Sequence, residues 1–374
     1  MWGVRKGTIG FLGLVFLVLS YNILSNLPLR IRTGAGQIAD AVIVARQLGA
    51  TLVMPTIKEG LTEPISKFDD IYNVKHFIAT LEGVVRIVGR LPEDLRNVNH
   101  TSVELPHKIT KAEIDNKIRP IFVKSSVIVL NKFLLSMKDV KDERDPEIEA
   151  IRCLVQYKAL QFQPQIEKLG NRLNNRMKEA AQSLGGKYVA VDYRSTDKAC
   201  GQRTDNVFTM PKGCLSPLDL GLLLQSHGFA RETAIYLTQT RLDESFDPLL
   251  KLYPIVITKE YSMPFNEENQ FLYSGMTQFE LAIDFYICSH SDVLVPIHSS
   301  TFYTALAGER IKQGFTHMLV PRLLRIAREA PEATSLTLGV PRIVTKRLHP
   351  AYSCLCEQGM SKALALVPSS PTSR

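Results

Sequence analysis

Lys187-Tyr-Val-Ala-Val-Asp-Tyr-Arg-Ser-Thr-Asp-Lys-Ala-Cys-Gly-Gln-Arg203 is the stretch whose reading decides the fold. Val189, Val191 and Tyr193 alternate with smaller or polar residues in a run of strong β propensity. The run then breaks into a polar loop carrying Asp192, Arg194, Asp197, Lys198 and Arg203. A strand that ends by presenting an acid and an arginine marks the carboxyl edge of an open α/β sheet, where such sheets bind ligands. Arg194 has the planar fork that grips a phosphate through two hydrogen bonds. Asp192 can orient that arginine or serve as a base. The plain alternative is a buried Asp–Arg pair with no ligand, and the local pattern fits both.

Working outward, helical and strand patterns alternate on both sides. Downstream, Ser216-Pro217 opens a helix over residues 218–225, and residues 234–238 form a strand that ends in Gln239, Thr240 and Arg241. A short helix over 246–253, a strand over 255–258, an apolar helix over 279–289 and a strand over 292–296 follow. That last strand delivers His298, Ser299, Ser300 and Thr301 to a helix over 303–310. Upstream, residues 38–48 have helical spacing and end at Gly49, and 51–55, 84–90 and 127–130 read as strands. Residues 147–157 and 165–184 read as helices, and 93–119 as a polar excursion. The alternation implies an α/β fold of parallel, doubly wound sheets in two lobes. The first lobe spans residues 30–186 and the second 187–321, divided at Gly185-Gly186. Residues 322–374 form a tail.

Residues 1–29 stand apart. Arg5 and Lys6 precede an uncharged run over residues 7–29, apolar at its centre, and a bilayer-spanning helix needs about 20 such residues. No Ala-x-Ala site follows, so the run reads as a transmembrane signal-anchor rather than a cleaved signal peptide. The cations ahead of it hold the N-terminus in the cytosol and leave the rest lumenal.

The net charge is +8, with Lys and Arg scattered along the chain. No basic block interleaved with aromatics appears, which argues against nucleic acid as a partner. A diffuse positive charge suits an anionic substrate or an inert basic surface. The six cysteines are too few for a disulfide scaffold, and Cys200 and Cys214, flanking one loop, are the candidate pair. Asn99-His-Thr101 is a glycosylation sequon. No His/Cys spacing suits a metal, so none is expected. The serine-nucleophile elbow, the P-loop and His-Glu-x-x-His are missing, which leaves a hydrolase or NTPase unsupported.

Three strand ends of the second lobe carry polar residues: Asp192 with Arg194, the run Gln239 to Arg241, and His298 with Ser299, Ser300 and Thr301. In one parallel sheet all three open on the same edge. Ser299, Ser300 and Thr301 stand at a helix N-terminus, where free N–H groups and the helix dipole favour phosphate, or they are N-caps. Asp292 is a candidate contact for the nucleotide base, or structural. An arginine and a helix N-terminus aimed at one cleft suit a pyrophosphate leaving group, as in glycosyl transfer from a nucleotide sugar. No Asp-x-Asp occurs in this lobe, so the transfer is expected to need neither metal nor cofactor.

At this point the residues resemble a known family. Asp40-Ala-Val-Ile-Val-Ala-Arg-Gln-Leu-Gly-Ala-Thr-Leu-Val-Met-Pro55, Phe68-Asp-Asp-Ile-Tyr72, Leu154-Val-Gln-Tyr-Lys-Ala-Leu160 and Ser289-His-Ser-Asp-Val-Leu-Val295 are similar to blocks of the plant O-fucosyltransferase-like glycosyltransferases. The loop from Cys200 to Cys214 and Ala234-Ile-Tyr-Leu-Thr-Gln-Thr-Arg-Leu-Asp-Glu-Ser245 most resemble its mannan-synthesis-related branch. The resemblance implies a GT-B fold of two Rossmann-like lobes and a single-pass type II Golgi membrane protein with a lumenal catalytic domain. It also implies a nucleotide-sugar donor, commonly GDP-linked, a glycan acceptor, and a role in cell-wall mannan or glucomannan synthesis. Where the family has His-x-Arg-x-Glu, this chain has Asp192-Tyr-Arg-Ser-Thr196. That departure keeps open a catalytically silent accessory subunit of a mannan synthase. Protein O-fucosyl transfer is the third reading.

Overall fold

The computed structural model of the chain describes residues 16–19, 35–54, 56–57, 66–96, 98, 100–106, 109–125, 127–134, 145–193, 216–239, 241–262, 277–297, 301–315, 317–323 and 338–343. In the first lobe, β1 (Phe16–Leu19), β2 (Thr51–Val53), β3 (Arg86–Val88), β4 (Thr101–Pro106) and β5 (Val127–Leu134) make one sheet, ordered β3-β2-β1-β5-β4. Every neighbouring pair is parallel. Helix α1 (Ala35–Leu48) is buried at every position from Ile38 to Ala45. Its one acid there, Asp40, pairs with Arg152 of α3 (Pro146–Leu154) at 2.5 Å. Burial pushes the Asp40 carboxyl up, and the guanidinium opposes that shift. Between them in sequence lies α2 (Val74–Thr80). Asp145 caps α3, accepting from the Glu147 and Ile148 N–H groups, and Pro146 fills its first turn.

The position of β1 corrects the expectation of a membrane helix. Phe16–Leu19 is hydrogen-bonded on both sides, to β2 and to β5, in the centre of the sheet. A strand covered on both faces in a parallel sheet reads as a continuous apolar run, the same composition that a membrane span shows. Among the described residues no helix is long and apolar enough to cross a membrane. The first lobe therefore reaches back to Phe16. β4 is a second correction, because the presumed polar excursion holds an edge strand. Along it, buried Val103 stands between exposed Ser102 and Glu104, the alternation of a strand with one covered face.

The lobes also divide earlier than Gly185-Gly186. Helix α4 (Pro164–Ala180) buries Ile166, Leu169, Leu173 and Met177 against Tyr188, Ala190 and Tyr236, all second-lobe strand residues. The glycine pair instead ends that helical stretch with φ of 67° and 74°, backbone that favours residues without a Cβ. In the second lobe, β6 (Tyr188–Asp192), β7 (Ala234–Leu237), β8 (Val256–Ile257) and β9 (Val293–Pro296) are ordered β8-β7-β6-β9, all parallel. Because side chains alternate, Tyr188 and Ala190 face α4, α7 (Thr277–His290) and α8 (Thr301–Gln313). Val189, Val191 and Tyr193 face α5 (Pro217–Ser226) and α6 (Asp247–Leu252). Within the expected tail, β11 (Leu338–Ile343) pairs antiparallel with β10 (Leu319–Leu323).

A chain lacking residues 1–29 loses the central strand of its first sheet. We expect it to show no cooperative unfolding of that lobe and rapid proteolysis at α1, measured by limited digestion beside the full chain. A removable anchor would instead leave both unchanged.

Candidate functional site

β6 sits in the middle of its sheet, and the chain leaves it to one side for β7 and returns on the other as β9. Open α/β sheets bind ligands at such a switch point, outside the carboxyl ends of the two diverging strands. Here those ends are Asp192 and Pro296, paired in register, with the Ile297 N–H donating to the Asp192 carbonyl at 3.4 Å. Helix α8 begins at Thr301, so its N-terminal N–H groups belong to the same edge. Asp192 and the start of α8 thus share the carboxyl edge of the sheet, and residues 298–300 between β9 and α8 lie outside the described residues.

Asp192 is only 3 % exposed. The Tyr193 N–H closes back on the Val191 carbonyl at 2.9 Å, a tight turn centred on Asp192. Thr238, just past β7, clamps this turn. Its N–H donates to the Val191 carbonyl at 3.2 Å. Its hydroxyl lies 3.1 Å from the Tyr193 carbonyl and 3.5 Å from the Asp192 carboxylate. One hydroxyl proton serves one acceptor at a time, and the shorter contact is the better bond. The Tyr193 ring, edge-on to Phe246 at 5.3 Å, pins the other side of the turn.

Behind Thr238 lies a polar cluster that the sequence did not announce. Lys259 follows β8 and is 1 % exposed; its ammonium donates to both Asp284 oxygens at 2.9 and 2.8 Å and to the Thr238 carbonyl at 2.9 Å. Tyr236 donates to Asp284 at 2.8 Å. Burial first, and the Asp284 carboxylate second, push the Tyr236 phenol far above its usual range. Neither Lys259 nor Asp284 lies in a motif, and they are 25 residues apart. The sole sequence signal was an acid inside the apolar helix α7.

Asp292 is placed elsewhere. It precedes β9, at the amino edge of the sheet, and accepts from the Tyr188 N–H at 3.0 Å. That edge is roughly 13 Å from the switch point at about 3.3 Å per residue. Asp292 is thus a structural brace, and the expectation that it contacts a nucleotide is corrected. Arg241 is 60 % exposed and pairs with Glu260 at 3.0 Å. Arg194, Ser299 and Ser300 lie outside the described residues, as do Asn99, Cys200, Cys214 and the side chain of Thr301. Cys153 is disulfide-bonded, and Cys288 is buried in the second-lobe core. Among the described residues no cluster of three His, Cys, Asp or Glu could hold a metal.

The chain is similar to known proteins over most of its length. Residues 33–312 match the family described as GDP-fucose protein O-fucosyltransferase. The chain is 36% identical over 324 residues to Protein MANNAN SYNTHESIS-RELATED 1 of Arabidopsis thaliana, covering 86% of this chain and 75% of that one. It is 32% identical to Protein MANNAN SYNTHESIS-RELATED of Trigonella foenum-graecum, covering 86% and 76%. Among solved structures, POFUT1 in complex with GDP aligns over 82% of this chain and 99% of its own, at 13% identity and a TM-score of 0.48.

Removing one member of the buried pair strands the other. Asp284→Ala and Lys259→Met should each lower the unfolding free energy by about 3–5 kcal/mol. The double variant Lys259→Met/Asp284→Leu should lose less than the sum of the two single losses, yet stay below the wild type, because the buried Tyr236 hydroxyl and Thr238 carbonyl keep no partner from the pair. Urea denaturation of the three proteins checks both statements, and additive losses in the double variant would contradict them.

Proposed function

The chain belongs to the GDP-fucose protein O-fucosyltransferase family, and from that membership we propose that it is a Golgi glycosyltransferase using a GDP-linked sugar in cell-wall mannan or glucomannan synthesis. The observation that carries this reading is the meeting of Asp192, Pro296 and the start of α8 at one switch point. The mannan-synthesis-related relatives supply the pathway.

In this reading Arg194, two residues past β6, grips the donor diphosphate, while Ser299, Ser300 and Thr301 bind it at the start of α8. Charge builds on the diphosphate as the glycosidic C–O bond breaks. A guanidinium and preorganised N–H groups stabilise that charge most where it develops, and so accelerate the step without a metal. Asp192 is buried and clamped by Thr238, so its role is to orient Arg194 rather than to meet an acceptor hydroxyl. The disulfide at Cys153 supports an oxidising compartment such as the Golgi lumen.

The burial of Asp192 also favours one second reading. The position where the family motif has its histidine is closed to solvent here, as an accessory subunit of a mannan synthase would tolerate.

Incubating the purified protein with GDP- and UDP-sugars and measuring released nucleotide separates the two. For the enzyme, Arg194→Ala should cost about 10²–10³-fold in turnover. Arg194→Lys should not restore it, because an ammonium lacks the fork, and EDTA should leave it unchanged. No turnover with any donor, alongside retained binding to a mannan synthase, establishes the accessory role.

A further inference from the structure

Helix α8 reaches the first lobe in two ways, directly at Gly308 and indirectly through α7. Its first turn carries Phe302, which meets Phe285 edge-on at 5.7 Å; Phe285 meets Phe162 at 5.7 Å, and Phe162 stacks on Tyr72 at 5.8 Å. Two turns further on, roughly 10 Å along the axis, is Gly308. A Cβ there would overlap the Tyr157 hydroxyl and lie 2.7 Å from two ring carbons. Tyr157 is 7 % exposed and stands in the π-helical turn Val155–Ala159. Val155 and Ala159 on either side of it belong to the first-lobe core.

Both contacts come from residues 155–163, where the chain passes from the first lobe into the second. Residues 161–163 are zipped to the first lobe, with the Asn73 N–H donating to Gln161 and the Gln163 N–H to Ile71, each at 2.9 Å. The same π turn reaches the other way. Gln156 is the residue nearest Gly36, in the first turn of α1. An extra residue in a helical turn re-aims the side chains around it, and such turns recur at functional sites. Here the re-aimed turn sends Gln156 toward the first helix of one lobe and Tyr157 onto the site helix of the other.

We infer that Tyr157, seated on Gly308, is a positioning residue that sets the height and rotation of α8 and so the aim of its N-terminal N–H groups at the donor phosphate. The inference rests on the donor site proposed above. Glycine is required at residue 308 by close approach. Any larger residue drives Tyr157 and α8 apart and tilts the helix at its other end.

Gly170 provides the control. It faces Tyr286 as tightly, its Cβ position 2.5 Å from the ring Cγ, but that contact joins α4 to α7 within the second lobe. Gly308→Ala and Gly170→Ala should both lower the thermal midpoint. Gly308→Ala alone should weaken GDP binding, about tenfold by calorimetry, and raise the donor KM more than it lowers kcat. Tyr157→Leu in the Gly308→Ala background should restore the affinity. Should Gly308→Ala not fold, Tyr157→Ala replaces it, with the same expected direction. Wild-type GDP affinity in Gly308→Ala, or in Tyr157→Ala, overturns the inference. Hydrogen exchange in the first turn of α8 needs no ligand and isolates the inference from the donor-site reading. Tyr157→Ala should accelerate it and Gly170→Ala should not. If the wild type binds no GDP while this exchange pattern holds, the donor-site reading fails and the positioning contact stands; unchanged exchange sinks the positioning contact itself.

Discussion

The buried ion pair between Lys259 and Asp284 is the constraint on which the second lobe depends. Placing two charges beneath a sheet edge costs several kcal/mol per ion before their attraction and hydrogen bonds offset it. The offset here is complete, because the ammonium has three acceptors and the carboxylate also accepts from Tyr236. The third acceptor is the Thr238 carbonyl, and the Thr238 N–H and hydroxyl hold the turn at Asp192. A pair between two elements remote from β6 thereby immobilises the end of β6. The opposite edge has its own buried cation. Arg310, fully buried, donates to the carbonyls of Cys288, Ser291, Asp292 and His317. Burial lowers its pKa to about 10, which leaves it charged throughout the physiological range. Helix α7 is thus nailed to the sheet by Lys259 midway and by Arg310 at its C-terminal end.

Helix α8 links this frame to the first lobe. Its C-terminal half carries Arg310, its middle rests on Tyr157 through Gly308, and its first turn abuts the aromatic series that ends at Tyr72. A rigid rod held at three points can present its N-terminal N–H groups without reorganisation, the property that makes electrostatic stabilisation effective. The first lobe supplies the counterpart through the apolar helix α1 and its buried Asp40–Arg152 pair.

Much of this was legible beforehand. The alternation of strands and helices, the strand ends at Asp192 and Pro296, and the helix that follows are local patterns, and the structure contains them. What stayed hidden was decided by tertiary context. The apolar run around Phe16–Leu19 suits a bilayer span or a strand covered on both faces, and only pairing to β2 and β5 distinguishes them. Asp292 and Asp192 are both strand-end acids, but strand direction sends them to opposite edges. Lys259 and Asp284 meet across 25 residues with no motif between them. The apolar stripe of α4 was plain, whereas the lobe it covers was not.

The central claim is that a GDP-linked donor sits outside the carboxyl ends of β6 and β9. Photocrosslinking the full chain with a photoactivatable GDP analogue, followed by peptide mapping, tests it most directly. The expected result is labelling confined to the peptides that follow Asp192 and Pro296, competed away by unlabelled GDP. Competed labelling at the amino edge, in the peptides holding Tyr188 or Asp292 but not those beyond the strand ends, would contradict it.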